Sequence, residues 1–239
     1  MMMKSEIIGN YLDELFPNPV CELDYTKDYE LLIAVMLSAQ CTDKRVNMVT
    51  KKLFSKYDNL EKLSCADIDD LESIIRSLGS FRKKSLYIKT ISKALLDYDC
   101  VPSDREFLES LPGIGRKTVN VFFSEYLDIP AIAVDTHVER VSKRLKLAFL
   151  DDDVIIVERK LQKKFDKSLW SRRHLQLVLF GRYKCKAMKP ECGDCKIRDL
   201  CREKKKNWYV QFFSFFIIQL LNLVLHLNYI VYLYNFQSH

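Results

Sequence analysis

Four cysteines, Cys185, Cys192, Cys195 and Cys201, form a C-x6-C-x2-C-x5-C run that can bring four thiolates to one centre. Four soft ligands suit an iron-sulfur cluster or zinc. Structural zinc more often uses two C-x2-C pairs, and only Cys192 and Cys195 form one here, so the spacing leans toward iron and sulfur. Unligated thiols seldom gather in so polar a stretch. Lys184, Lys186, Lys189, Lys196 and Arg198 lie among them. A metal-tied loop would turn these cations toward phosphates, whereas the bland alternative is a solvated basic loop.

A second constellation lies upstream. Leu111, Pro112, Gly113, Ile114 and Gly115 read as a hairpin between two short helices, with glycines that permit a tight turn and leave backbone N–H groups open to an anion. The same pattern also serves as a plain helix connection. Lys117 follows in the first turn of the next helix, where the positive helix end and adjacent Arg116 both disfavour an ammonium. A neutral amine is a nucleophile that can attack a sugar C1′ and form a Schiff base, although most lysines are only surface cations. Asp135 stands between an apolar run and the next helix, where it reads first as an N-cap. A carboxylate held there can also stabilise an oxocarbenium or accept a proton. His137, near the same helix start, reads as a structural hydrogen-bonding residue with no catalytic role.

The elements that must position these residues read as helices. Glycine and proline number only six each, and the apolar spacing is helical in Val46, Val49, Leu53 and again in Val138, Val141, Leu145. Residues 31–37 are apolar on every face, so they form a central helix or a buried strand; no other strand is convincing, and an all-α fold follows. Ser103 and Glu106 have capping-box spacing, predicting a helix from there that stops at Pro112 and a second one after Gly115. The chain carries 38 Lys and Arg against 32 Asp and Glu, a modest surplus compatible with an acidic partner. Residues 1–10 lack the apolar core of a secretory signal, and the thiols suit a reducing, intracellular setting. After Asn207 the composition changes: residues 208–234 hold no Asp, Glu, Lys or Arg. That stretch is long enough for a bilayer anchor and follows a basic run, but polar residues are sprinkled through it.

In order, spacing and intervening sequence, these pieces resemble the endonuclease III family of helix-hairpin-helix DNA glycosylases over about residues 7–202. The resemblance is carried by Leu37, Ser38, Ala39 and Gln40 with Thr42 and Asp43, by residues 111–117 (Leu-Pro-Gly-Ile-Gly-Arg-Lys), by Val134, Asp135, Thr136 and His137, by Gly181, Arg182 and Tyr183, and by the four cysteines. It implies Lys117 as the Schiff-base nucleophile and Asp135 as the carboxylate that assists glycosidic cleavage. It implies a 4Fe–4S cluster on Cys185, Cys192, Cys195 and Cys201, ordering a basic loop with Lys186 and Lys189 against DNA, and a hairpin at Gly113 and Gly115 that grips the backbone. Gln40 matches a residue that fills the gap left by an extruded base. The second inserting position, usually bulky and apolar, is Ser80 here, so either Phe81 takes over or Gln40 carries more of the work. The tail has no counterpart in the family, which favours an incidental extension over an anchor.

The implied architecture is two helical lobes with DNA between them. One is a six-helix lobe over residues 21–131; the other joins residues 1–20 to 132–206 and holds the cluster; residues 207–239 form an apolar extension. The implied partner is double-stranded DNA carrying a damaged pyrimidine or an abasic site, bound by a monomer. The implied enzyme is a bifunctional glycosylase and abasic-site lyase. Its rivals are a monofunctional glycosylase, a non-enzymatic iron-sulfur DNA-binding protein, and a membrane protein whose tail does the main work.

Overall fold

The computed structural model describes residues 3–203; the apolar tail lies outside the described residues. Within them the chain is helical, without strands: α1 Lys4–Leu15, α2 Asp28–Leu37, α3 Asp43–Lys56, α4 Leu60–Cys65, α5 Ile68–Ile75, α6 Phe81–Ala94, α7 Arg105–Ser110, α8 Arg116–Glu125, α9 Thr136–Arg144, α10 Val154–Lys164 and α11 Trp170–Leu179. A π-helical turn at Phe180–Lys184 leads from α11 into the cysteine region. Among the described residues no helix is long and apolar enough to cross a membrane.

The uniformly apolar run is a helix. Leu31, Leu32, Ile33, Ala34 and Leu37 of α2 are fully buried, as expected of a helix with neighbours on every side. Its N-terminus is fixed by Glu30, whose carboxylate accepts from Thr26 N (2.8 Å), Thr26 Oγ1 (2.9 Å) and Lys27 N (3.2 Å). The two spaced triplets, Val46, Val49, Leu53 and Val138, Val141, Leu145, are all buried. One expected cap is misplaced by a residue. The helix after residue 103 is capped by Asp104, which accepts from Phe107 N at 3.1 Å; Ser and Asp cap equally well, and the backbone path brings Asp104 to the orphan amide. The helix ends at Ser110 because Leu111, which precedes Pro112, is driven extended.

The buried side chains fall into two clusters. Helices α2 to α8 surround the first; α1, α9, α10, α11 and the segment through Ile197 supply the second. The chain crosses from one to the other in an extended stretch whose alternate residues face alternate ways: Ala131 and Ala133 join the first core, Ile132 and Val134 the second. Asn120 of α8 holds that stretch by donating to Ile132 O at 3.0 Å. The N-terminal helix is buckled to the second core, since Arg173 of α11 meets Asp13 at 2.8 Å and Gln176 donates to Phe16 O at 2.9 Å.

Candidate active site

Gly113 takes a left-handed turn (φ 79°), and a Cβ there would sit 2.6 Å from Tyr87 Cδ2 and 3.2 Å from Met36 Cγ. Both backbone and packing therefore require glycine. Gly115 is different: it is extended, and a Cβ would meet nothing within 4 Å. Its lack of a side chain opens the N-terminus of α8 outward instead of serving the turn.

Lys117 sits in the first turn of α8 and lines a cavity where the two cores meet. It makes no hydrogen bond or ion pair among the described residues. The cation expected to crowd it is engaged elsewhere: Arg116 is held bidentately by Glu158 of α10, at 2.9 Å through Nε and 2.7 Å through Nη2. The charge of Arg116 is thus offset, and the pair bolts the start of α8 to the second core.

Asp135 caps α9, its Oδ1 accepting from His137 N and Val138 N at 2.8 Å each. It lines the same cavity as Lys117. The N-cap role is real and leaves Oδ2 uncommitted among the described residues. His137 lies apart from the cavity wall, its Nδ1 3.3 Å from Arg140 Nη2 and its Cβ against Gly181. This suits the structural role expected of it.

Further groups line the cavity that the motif reading left without a role. His174 of α11 is buried, and its Nδ1 has no hydrogen-bond partner. Burial pushes its pKa down to about 4, with Lys117 and Arg182 acting the same way and Asp135 opposing; the imidazole is neutral at neutral pH. Arg182, from the π-helical turn, forms ion pairs with Glu22 and with Asp43 (2.6 Å to the latter), while Tyr183 donates to Glu22. These contacts bridge the second core to the first. Glu125 also lines the cavity. A helical period drawn through Lys117 would have flagged Glu125; nothing local in the sequence would have flagged His174.

Gln40 and Ser80 are both exposed and both left-handed, at φ 59° and 55°. They are joined beneath by Lys84, a buried lysine of α6. Its Nζ donates to Leu37 O and Ala39 O at 2.9 Å each, and its own amide donates to Ser80 O at 3.1 Å. Phe81 is not free to replace a wedge at Ser80: it packs partly against the first core, with Arg76 and Arg82 over its ring at 5.8 and 5.4 Å.

The four clustered cysteines line one cavity with Arg144, Phe180 and Pro190. Arg144 Nη1 reaches Cys185 Sγ at 3.4 Å, and the Glu203 amide donates to Cys201 Sγ at 3.3 Å. Among the described residues no three His, Cys, Asp or Glu converge on a single-ion site. The four thiols nevertheless face a common space. The nearby cations are largely paired: Lys186 with Glu191 (2.7 Å), Lys184 with Asp194, Lys196 with Glu14. Lys189 stands exposed in a left-handed conformation.

Comparison with known proteins agrees with this geometry. The HhH-GPD superfamily of base excision DNA repair proteins matches residues 33–167. Endonuclease III of Bacillus subtilis (strain 168) is 48% identical over 197 residues, covering 82% of this chain and 90% of its own. Endonuclease III of Escherichia coli (strain K12) is 41% identical over 197 residues, with coverages of 82% and 93%. Among solved structures, a trapped endonuclease III–DNA covalent intermediate and a non-covalent endonuclease III–DNA complex are each 47% identical, with a TM-score of 0.80, spanning 85% of this chain and 97% of theirs.

Proposed function

The chain belongs to the endonuclease III family of HhH-GPD base-excision DNA-repair proteins, and from that membership we propose that it removes oxidised pyrimidines from double-stranded DNA and then cuts the strand 3′ to the abasic site by β-elimination. The observation that carries this reading is the cavity where two cores meet, lined by an unpaired lysine from one side and a helix-capping carboxylate from the other.

In this reading the amine of Lys117 attacks C1′ of a nucleotide turned out of the duplex. The N-glycosidic bond breaks, the base leaves with a proton, and opening of the sugar ring gives an imine between Nζ and C1′. Loss of a proton from C2′ then expels the 3′ phosphate, and water releases the unsaturated aldehyde and the free amine. Asp135, with one oxygen held by two amides, offers the other to take the proton from the lysine and to stabilise positive charge at C1′. Glu22 and Asp43 on the cavity wall are paired with Arg182, which leaves Asp135 as the carboxylate that would face the sugar beside Lys117.

The amides of Gly113 and Gly115 and the positive end of α8 would hold a backbone phosphate. Gln40 would fill the vacated position in the duplex, with Ser80 beside it as the weaker partner. Cys185, Cys192, Cys195 and Cys201 would hold a 4Fe–4S cluster: the donor set is four thiols that line one cavity and are supplied with N–H groups toward sulfur. The cluster would supply structure rather than chemistry at the sugar, ordering the loop from which Lys186 and Lys189 meet DNA. The protein is proposed to act inside the cell, as a monomer.

The test is a duplex carrying one oxidised pyrimidine, with the products resolved by strand. A strand ending in the unsaturated aldehyde is expected. An abasic but uncut strand would instead make the protein a monofunctional glycosylase, and an intact base would make it a binding protein.

A further inference from the structure

The face of α8 that carries Lys117 sends two more residues into the same cavity, Val121 and Glu125. They follow at i+4 and i+8, so the three lie in one row. Eight residues of helix separate the ends of that row by about 12 Å along the axis. Helical side chains lean toward the N-terminus, which tips the Glu125 carboxyl back over Val121 toward the lysine.

Folding gives no reason for a carboxyl there. Glu125 is the last residue of α8, where the negative end of the helix opposes a carboxylate. Burial, with Asp128 adding to it, pushes its pKa up to about 7, against a weak opposing contact from the Ser124 hydroxyl at 3.5 Å. The groups around it bring no compensating charge. Cys21 and Tyr25 approach from the segment before α2, with Tyr25 donating to the Glu125 backbone carbonyl at 3.5 Å, and both are themselves held neutral by burial. Tyr126 and Asp128 follow it in the chain. Arg182, the nearest candidate cation of the second core, is committed to Glu22 and Asp43.

We propose that Glu125 reads the extruded base: a pyrimidine whose sugar is attacked by Lys117 lies along Val121, and the ring edge far from the sugar is hydrogen-bonded by the Glu125 carboxyl. The inference rests on the glycosylase reading above and extends it to the substrate class. A carboxylic acid offers one donor beside one acceptor, the complement of an edge that presents N–H beside C=O, as ring-saturated thymines do. Ionised, the same group offers only acceptors and sets one of them against the base carbonyl. Recognition therefore weakens as pH rises through neutrality, and a glutamine, which carries both functions at every pH, replaces the acid form.

The experiment uses the full, cluster-loaded chain and two duplexes, one with 5,6-dihydrothymine and one with a preformed abasic site, which has no base to read. The quantity measured is the ratio of excision rate to strand-cleavage rate. Glu125→Val is expected to lower this ratio about tenfold, the worth of one well-made buried hydrogen bond. Glu125→Gln is expected to match wild type in mildly acidic buffer and to keep its ratio in mildly alkaline buffer, where that of the wild type falls. A Glu125→Val ratio equal to that of wild type, in protein that acts on both duplexes, overturns the assignment of Glu125 alone. Wild-type protein inert on both duplexes overturns the glycosylase reading and this inference with it.

Discussion

Asp135 combines two tasks that substitution can separate. Asparagine caps helices as well as aspartate does, so Asp135→Asn should retain stability while slowing the reaction by about 10²-fold or more; alanine should lose the rate and also about 1 kcal/mol of stability. Thermal melts alongside single-turnover rates distinguish these outcomes, and an Asp135→Asn variant that keeps the wild-type rate would reduce Asp135 to a cap. Glu125 makes a pH prediction of its own. Its acid is raised in the folded chain, so the folded state binds the extra proton. Its stabilising contribution is complete below the unfolded carboxyl range and is lost as pH rises through about 7. Glu125→Gln should therefore raise the melting temperature more in alkaline than in acidic buffer, and a constant offset would contradict the burial argument. At this scale the sequence was informative where chemistry is concentrated in a motif. Lys117, Asp135 and the cysteines announce themselves by their neighbours. Glu125 and His174 do not, because a glutamate closing a helix and a histidine within one are ordinary until the packing puts them on a cavity wall.

At the scale of elements, helical periodicity located α3 and α9 because burial imposes that period, α2 was legible as a helix only because its uniformly apolar run had no strand to pair with, and Pro112 marked the end of α7 because it constrains the residue before it. Cap identity was less legible: Ser103 and Asp104 are both capping residues, and only the backbone path decides between them. The two turns presenting Gln40 and Ser80 were visible as separate sites, but their coupling was not. It is made by Lys84, whose ammonium satisfies the C-terminal carbonyls of α2 while its own turn holds Ser80. Lys84→Met should cost about 2 kcal/mol, since two charge-assisted bonds are lost. It should also slow cleavage of a paired lesion more than that of the same lesion in an unpaired bulge. Equal slowing on both substrates would make Lys84 a stability residue only.

Among the described residues the molecule is two cores joined by the chain's two passages between them, before α2 and before α9, and by the salt bridges of Arg116 with Glu158 and of Arg182 with Glu22 and Asp43. The cavity between them is lined from both sides, and Arg182 reaches along it to Glu22 and Asp43. Such long-range pairings, residue 182 with residues 22 and 43, leave no trace in local spacing. The cysteine region closes the second core through Ile197 and the Arg144 contacts with Cys185 and Lys186. Cys192→Ala should therefore lower iron and sulfide content together and weaken DNA binding most at low salt, where the phosphate contacts of the ordered loop contribute most, with a shallower salt dependence. Unchanged iron content would contradict the four-thiol cluster.

The proposed chemistry turns on a covalent bond between Lys117 and the sugar. The direct measurement is borohydride trapping on duplex DNA containing an abasic site, with the chain ending at Lys206 and, in parallel, the same chain bearing Lys117→Ala. The account predicts a stable protein–DNA adduct with the lysine and none with the alanine variant. Folded, cluster-loaded protein that forms no adduct, or an alanine variant that traps as well as its parent, would contradict it.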